Sequence, residues 1–323
     1  MKKISIVIPT FNEENNIIPL EKEIRQLFES RLNNFDYEII FIDNYSVDKT
    51  REKIKIVCND NEHVFAIFNA KNFGAFNSSY YGILQATGDA VIFMCADFQD
   101  PVKLILQFVD NWQSGYKIII GKNVSRVEKK TVFFLKKIYY KLIHKLTNIN
   151  FIEYFTGFGL YDKVFINILR AIDDPMPLLR GMVAELGYKM KIIEYQQNKS
   201  KSGKSRHSLY DKYDSAMLVF TSYSKIGLRL IILLGFFSAI VCILIALFYF
   251  VNKLMFWDKY SLGISPTIIG LFLLGSIQII ILCLIGEYIL SINQRVMHKP
   301  IVIEECRYGA KYNNLEKVNF NAN

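Results

Sequence analysis

Nowhere in its 323 residues does this chain follow an apolar run with GxGxxG, or with GxxxxGK and then Ser or Thr. Neither a dinucleotide cofactor nor a P-loop NTPase is therefore indicated. The four histidines (His63, His144, His207, His298) are scattered and form no metal-ligand cluster. The five cysteines lack CxxC or any framework spacing, and Cys242 and Cys283 lie inside long apolar runs. Disulfides are not expected, and a reducing compartment fits. No signal peptide is expected ahead of the first strand, because an apolar strand and a turn begin almost at Met1.

Uncharged apolar stretches dominate the C-terminal third. Residues 230–251 and 266–285 carry no charge over 22 and 20 positions. Each is long enough, at about 1.5 Å per residue, to cross roughly 30 Å of hydrocarbon. Lys225 and Arg229 precede the first run and Arg295, Lys299 and Arg307 follow the second, while the loop between them carries only Lys253, Asp258 and Lys259. The positive-inside rule then predicts two spans with both termini cytoplasmic. The alternative is a pair of core helices in a soluble protein. The formal net charge of +9 suits nucleic acid, anionic lipid or a phosphorylated substrate, and its distribution favours the membrane over nucleic acid.

The first 225 residues read as soluble. Apolar strands at 4–9, 37–43, 64–68 and 91–95 alternate with helical patterns over 17–28, from the turn at 43–48 through Cys58, and up to Thr87. Such alternation predicts a parallel, helix-covered sheet with right-handed crossovers. The stretch 91–101, VIFMCADFQDP, organises the rest: an apolar run without alternation, suited to a strand buried on both faces, stops at Asp97, Gln99 and Asp100. Ligands of open α/β sheets bind at that strand end, and carboxylate and amide oxygens suit Mg²⁺ or Mn²⁺. Asp100, just before Pro101 and further apolar positions, reads equally well as a helix N-cap.

These segments carry a resemblance. SIVIPTFNEENN, DNYSVDKT, KNFG, ADFQDP, RGMVAELGYK, a basic GKS loop and two terminal spans, in that order over nearly the whole chain, resemble family 2 glycosyltransferases of the polyprenyl-phosphate type. The resemblance implies a GT-A, Rossmann-like α/β domain at 1–225, which includes juxtamembrane amphipathic helices at about 126–148 and 208–225. A two-helix anchor at 226–292 and a cytoplasmic tail at 293–323 would follow. It implies inverting transfer of one sugar from a UDP- or GDP-linked donor to a polyprenyl phosphate such as undecaprenyl phosphate, feeding cell-envelope glycan modification. It leaves a homo-oligomer open. Carried over by position, Pro9, Phe11, Glu13, Asp43, Ser46, Lys71, Asn72 and Asp97 are donor-binding, Asp97 and Gln99 hold the metal, and Arg126, Lys137 and Arg180 hold the acceptor phosphate. Asp97 and Arg126 are then the catalytic pair. The chain departs from the pattern at Cys95 and Asn44, where Asp is common, and at Gly157 and Gly159, which replace the Asp and Arg of GDFRL.

Leu135, Ile138, Tyr139, Leu142 and Leu146 fall on one helical face and Lys137, Lys141 and Lys145 on another, suiting either a headgroup-plane helix or an ordinary domain helix. The basic loop 199–206 is either solvated or poised to close over diphosphate. Two other functions compete. A processive polysaccharide synthase would carry QxxRW, and neither Trp112 nor Trp257 stands in that context. A non-catalytic membrane partner that binds nucleotide sugar would explain the altered acidic stretch.

Overall fold

The computed structural model describes residues 1–124, 155–172, 177–198, 264–296 and 299–310, with isolated positions elsewhere. Arg126, Lys137, the amphipathic segment at 135–146, the basic loop 199–206 and the helix expected at 208–225 lie outside the described residues.

The strand–helix alternation is realised as β1 (Lys3–Thr10), α1 (Ile17–Arg31), β2 (Asp36–Asp43), α2 (Thr50–Asp60), β3 (Val64–Asn69), α3 (Ala75–Gln85), β4 (Ala90–Phe93) and α4 (Leu104–Gln113). There follow β5 (Ile118–Asn123), β6 (Phe155–Asp162), α5 (Lys163–Ile172), α6 (Leu179–Glu185), β7 (Met190–Tyr195), α7 (Ile264–Val296) and β8 (Glu304–Tyr308). One eight-stranded sheet runs in the order β7-β5-β6-β4-β1-β2-β3-β8. β1 pairs in parallel with β2 and β4, β2 with β3, and β5 with β7, whereas β6 is antiparallel to both β4 and β5 and β8 is antiparallel to β3.

The unalternated apolar strands have the cause expected of them, because both faces of the sheet are covered. Ile4, Ile6 and Ile8 of β1 pack with Leu20 and Ile24 of α1 and Phe108 of α4, while Val7 packs with Tyr80 and Ile83 of α3 on the opposite face. β4 ends at Phe93, two residues earlier than the sequence suggests, although Met94 still donates its N–H to Val7 O at 3.2 Å.

The chain forms two compact units. One comprises Met1–Tyr140, Ile149–Arg206 and His298–Asn323, and the other Lys141–Asn148 and His207–Met297. Part of the C-terminal segment expected as a tail is thus the eighth strand of the sheet. Among the described residues no helix is long and apolar enough to cross a membrane. The first expected span lies mostly outside them. α7 contains the second, with only some of its side chains described.

Candidate active site

The loops that leave the carboxyl ends of β1, β2 and β4 converge at one edge of the sheet, and each holds one non-glycine residue in the left-handed region: Asn12 (φ 56°), Tyr45 (φ 68°) and Phe98 (φ 59°). A bulky residue there is strained by about 1–3 kcal/mol and persists only where its surroundings over-determine it, as functional loops do. The first two loops are laced together. Asn12 N–H donates to Ser46 Oγ (2.8 Å), Val47 N–H to Asn12 Oδ1 (2.9 Å) and Glu13 N–H to Thr50 Oγ1 (2.8 Å). Glu13 also accepts from Asn16 Nδ2 at 2.7 Å. Pro9 and Phe11, half-buried, lead into this loop.

Asp43, the last residue of β2, is fully buried. Its Oδ2 accepts from Arg51 Nε (2.6 Å) and Ser46 N–H (3.0 Å), and its Oδ1 has no hydrogen-bond partner. Arg51 donates further to Asn69 O (2.8 Å) and Glu305 Oε2 (2.7 Å), with Tyr45 and Phe68 rings 5.2 and 5.3 Å from its guanidinium. Burial disfavours that charge, but Asp43 and Glu305 outweigh it and hold the Arg51 pKa above the ordinary guanidinium value.

Next to Asp43, Asn44 uses both halves of its amide. Its Nδ2 donates to Asn72 Oδ1 (2.8 Å), and its Oδ1 accepts from Phe73 N–H (2.9 Å) and Asn69 Nδ2 (3.2 Å). Asn72 Oδ1 also takes the Gly74 N–H at 2.8 Å, so Asn72 shapes its own turn. Lys71 is exposed, its Nζ 5.1 Å from the Phe73 ring.

After β4, Gln99 N–H donates to Asp97 Oδ1 at 3.2 Å. Asp100 does not cap α4, which begins at Leu104 with Lys103 in the N-cap position. Asp100 is 2% exposed and accepts a 2.5 Å hydrogen bond from Tyr195 Oη, and burial lifts its pKa to about 6, with Asp97 adding to the rise. Asn198 closes the same turn by donating its N–H to Gln99 O (3.0 Å) and Nδ2 to Phe98 O (3.3 Å). The Cys95 thiol is pushed well above its usual range by burial and by Asp100, Asp97 and Glu13, so it stays neutral. A neutral thiol is a poor ligand for Mg²⁺. Among the described residues no group of three His, Cys, Asp or Glu side chains converges to hold a metal.

Glu13, Asp43, Ser46, Asn72, Asp97 and Gln99 thus belong to this one edge. Arg180 stands on α6, donating to Phe155 O (3.4 Å) and lying 5.6 Å from the Phe76 ring. Arg51, Tyr195 and Asn198 are the parts that sequence reasoning missed. Arg51 stands one residue beyond DNYSVDKT, whereas no local signal marks the other two.

The family profile of Glycosyl transferase family 2 matches residues 5–186. An uncharacterized glycosyltransferase of Synechocystis is 27% identical over 318 residues, covering 98% of this chain and 99% of that one. A bactoprenol glucosyl transferase of Shigella phage SfV is 27% identical over 303 residues, 92% and 96% of the two chains. Among solved structures, the mannosyltransferase PcManGT of Pyrobaculum calidifontis, in complex with GDP-Man and Mn²⁺, aligns at a TM-score of 0.44 and 14% identity over 69% of this chain and 61% of that one.

Proposed function

This chain belongs to glycosyl transferase family 2, and we propose that it moves a single sugar from a UDP- or GDP-linked donor to a polyprenyl phosphate at the cytoplasmic face of a membrane. The observation that carries the donor half is the unpartnered, fully buried Oδ1 of Asp43. An unsatisfied buried acceptor costs about 1–3 kcal/mol, and a carboxylate more. Its other oxygen is already taken by Arg51 and Ser46, so Oδ1 calls for an N–H or O–H donor, and we assign it the ring N–H of the donor's base. Uracil and guanine each present one in their ordinary tautomers, whereas adenine and cytosine do not. The similarity to a bactoprenol glucosyl transferase over nearly the whole chain supports the acceptor half.

A divalent ion fits the donor set: Asp97 and Gln99 offer hard oxygens on one tight turn, and Mg²⁺ is commonly held by one or two carboxylates together with substrate phosphates. When bound, it would neutralise charge developing on the leaving diphosphate. The acceptor phosphate needs little help from a general base. Its second ionisation lies near about pH 6, so at neutral pH its oxygen is already an anionic nucleophile. The chain's task is to hold acceptor and donor in line, with Arg126, Lys137 and Arg180 as the acceptor clamp. Direct displacement by that oxygen inverts the anomeric carbon.

Membrane attachment through 230–251 and 266–285 completes the reading. Leu271, Ile279, Ile280 and Leu282 of α7 are each more than half exposed, which suits contact with lipid. Calorimetric titration of the full-length chain tests the nucleoside site. UDP or GDP should bind, ADP and CDP should not, and Asp43→Ala should abolish the preference. Equal binding of all four would remove the base-reading role of Asp43.

A further inference from the structure

Glu305 lies 254 residues beyond Arg51 in the sequence, yet its carboxylate takes one arm of the guanidinium whose Nε holds Asp43. The strand that carries Glu305 is held at several points besides. β8 pairs with β3 from Ala66 opposite Tyr308 to Asn69 opposite Glu304, and Ala70 N–H donates to Ile303 O at 3.0 Å. Glu304, 9% exposed, accepts from Tyr81 Oη (2.7 Å) and from Arg307, which also donates to Gln85 Oε1 (2.8 Å). Glu305 is different: it is half-exposed, and its carboxylate pairs with Arg51. A half-exposed carboxylate adds little stability through such a pair. It does fix the third direction of a planar guanidinium whose other two contacts are Asp43 Oδ2 and Asn69 O.

We propose that Glu305 is a positioning residue of the nucleotide site: through Arg51, the C-terminal strand orients the Asp43 carboxylate toward the donor's nucleoside. The inference rests on the nucleoside role given to Asp43 above. Asp43 Oδ2 has two partners, Arg51 Nε and the Ser46 N–H, so freeing Arg51 from its third contact loosens one of the two groups that aim Oδ1. The consequence is a donor site completed by a strand that follows α7 in the chain.

The test titrates UDP and GDP into the full-length, detergent-purified chain and into its Asp43→Ala, Arg51→Lys, Glu305→Ala and Glu305→Gln variants, with unfolding temperatures measured alongside. For the diphosphate that the native chain binds, Glu305→Ala should weaken affinity about fivefold, the upper end of what a half-exposed charge pair contributes, with the unfolding temperature little changed. Glu305→Gln, whose amide oxygen still accepts from Arg51, should recover part of that loss. In transfer assays of Glu305→Ala the donor KM should rise while kcat holds. Glu305→Ala should add nothing further in an Arg51→Lys background. Native-like affinity in Glu305→Ala, additive losses in the double variant, or failure of Glu305→Ala to fold would each overturn the proposal. If Asp43→Ala binds as the native chain does, it is the nucleoside reading that falls.

Discussion

Gly157 lies against the ring of Phe93, so close that a Cβ added there would sit 3.1 Å from the ring edge, and its φ of 105° is one that side-chain-bearing residues rarely adopt. Gly159, two residues on, is tighter still, because a Cβ would meet Ile119 O at 2.4 Å. The backbone at Gly159 therefore leaves no room for the Arg of the GDFRL pattern, and the φ and the close ring at Gly157 disfavour its Asp.

Gly157→Asp should accordingly lower stability by about 1–3 kcal/mol without speeding sugar transfer. Thermal melts and initial rates check both halves. An unshifted melt would show that β6 tolerates a carboxylate, and a faster enzyme would show that the chain lacks a base it needs.

Asn44→Asp should also be destabilising, although Asp is common at that position in the resembled pattern. The substitution removes the donor to Asn72 Oδ1 and sets a second carboxylate beside buried Asp43. A loss of about 1–3 kcal/mol is expected, with weaker nucleoside diphosphate binding. Tighter binding in this variant would contradict the role given to the Asn44 amide.

Glu38 predicts a pH dependence. It is 1% exposed, and burial alone would raise its pKa. The hydrogen bonds from Ser5 Oγ (2.6 Å), Lys3 (2.9 Å) and Thr87 N–H (2.7 Å) more than offset this and hold it below the usual carboxylate range. A carboxylate with a depressed folded-state pKa contributes stability above its unfolded pKa of about 4.3 and loses it as pH falls through the folded value. Glu38→Gln should therefore melt lower than the native chain at neutral pH, and the gap should narrow on acidification below about pH 4.3. A gap that stays constant from pH 7 downward would refute the assignment.

Topology follows from the charge flanking the two apolar runs. Reporters fused at Met1 and after Asn323 should both read cytoplasmic, and one inserted near Trp257 should read external. A cytoplasmic reading at Trp257 would mean that 230–251 and 266–285 do not span.

The strands β1 to β4 were legible because parallel strands covered on both faces read as near-continuous apolar runs, as in IVI and IIFI. The later strands were not. β6, FTGFGLYD, is interrupted by glycines that its two flanking strands require, and β8, EECRY, is an edge strand with a charged, polar sequence. In the site, Asp97, Gln99 and Asp100 could be located at the end of an apolar strand, and the loop residues after β1, β2 and β3 through the family resemblance. Their supports could not, since Tyr195 reaches Asp100 across 95 residues and Glu305 reaches Arg51 across 254, and no local period records such contacts.

The central claim is best tested with the purified full-length chain, a radiolabelled panel of UDP- and GDP-sugars, and a C55 polyprenyl phosphate, with lipid products resolved by the number of sugars they carry. One donor should yield a product with a single sugar. That product should vanish in Asp97→Ala at an unchanged unfolding temperature, because loss of a ligand that helps neutralise the leaving diphosphate costs several kcal/mol of barrier, on the order of 10³-fold in rate. A ladder of sugars, no product from any donor, or undiminished transfer by Asp97→Ala would contradict the account.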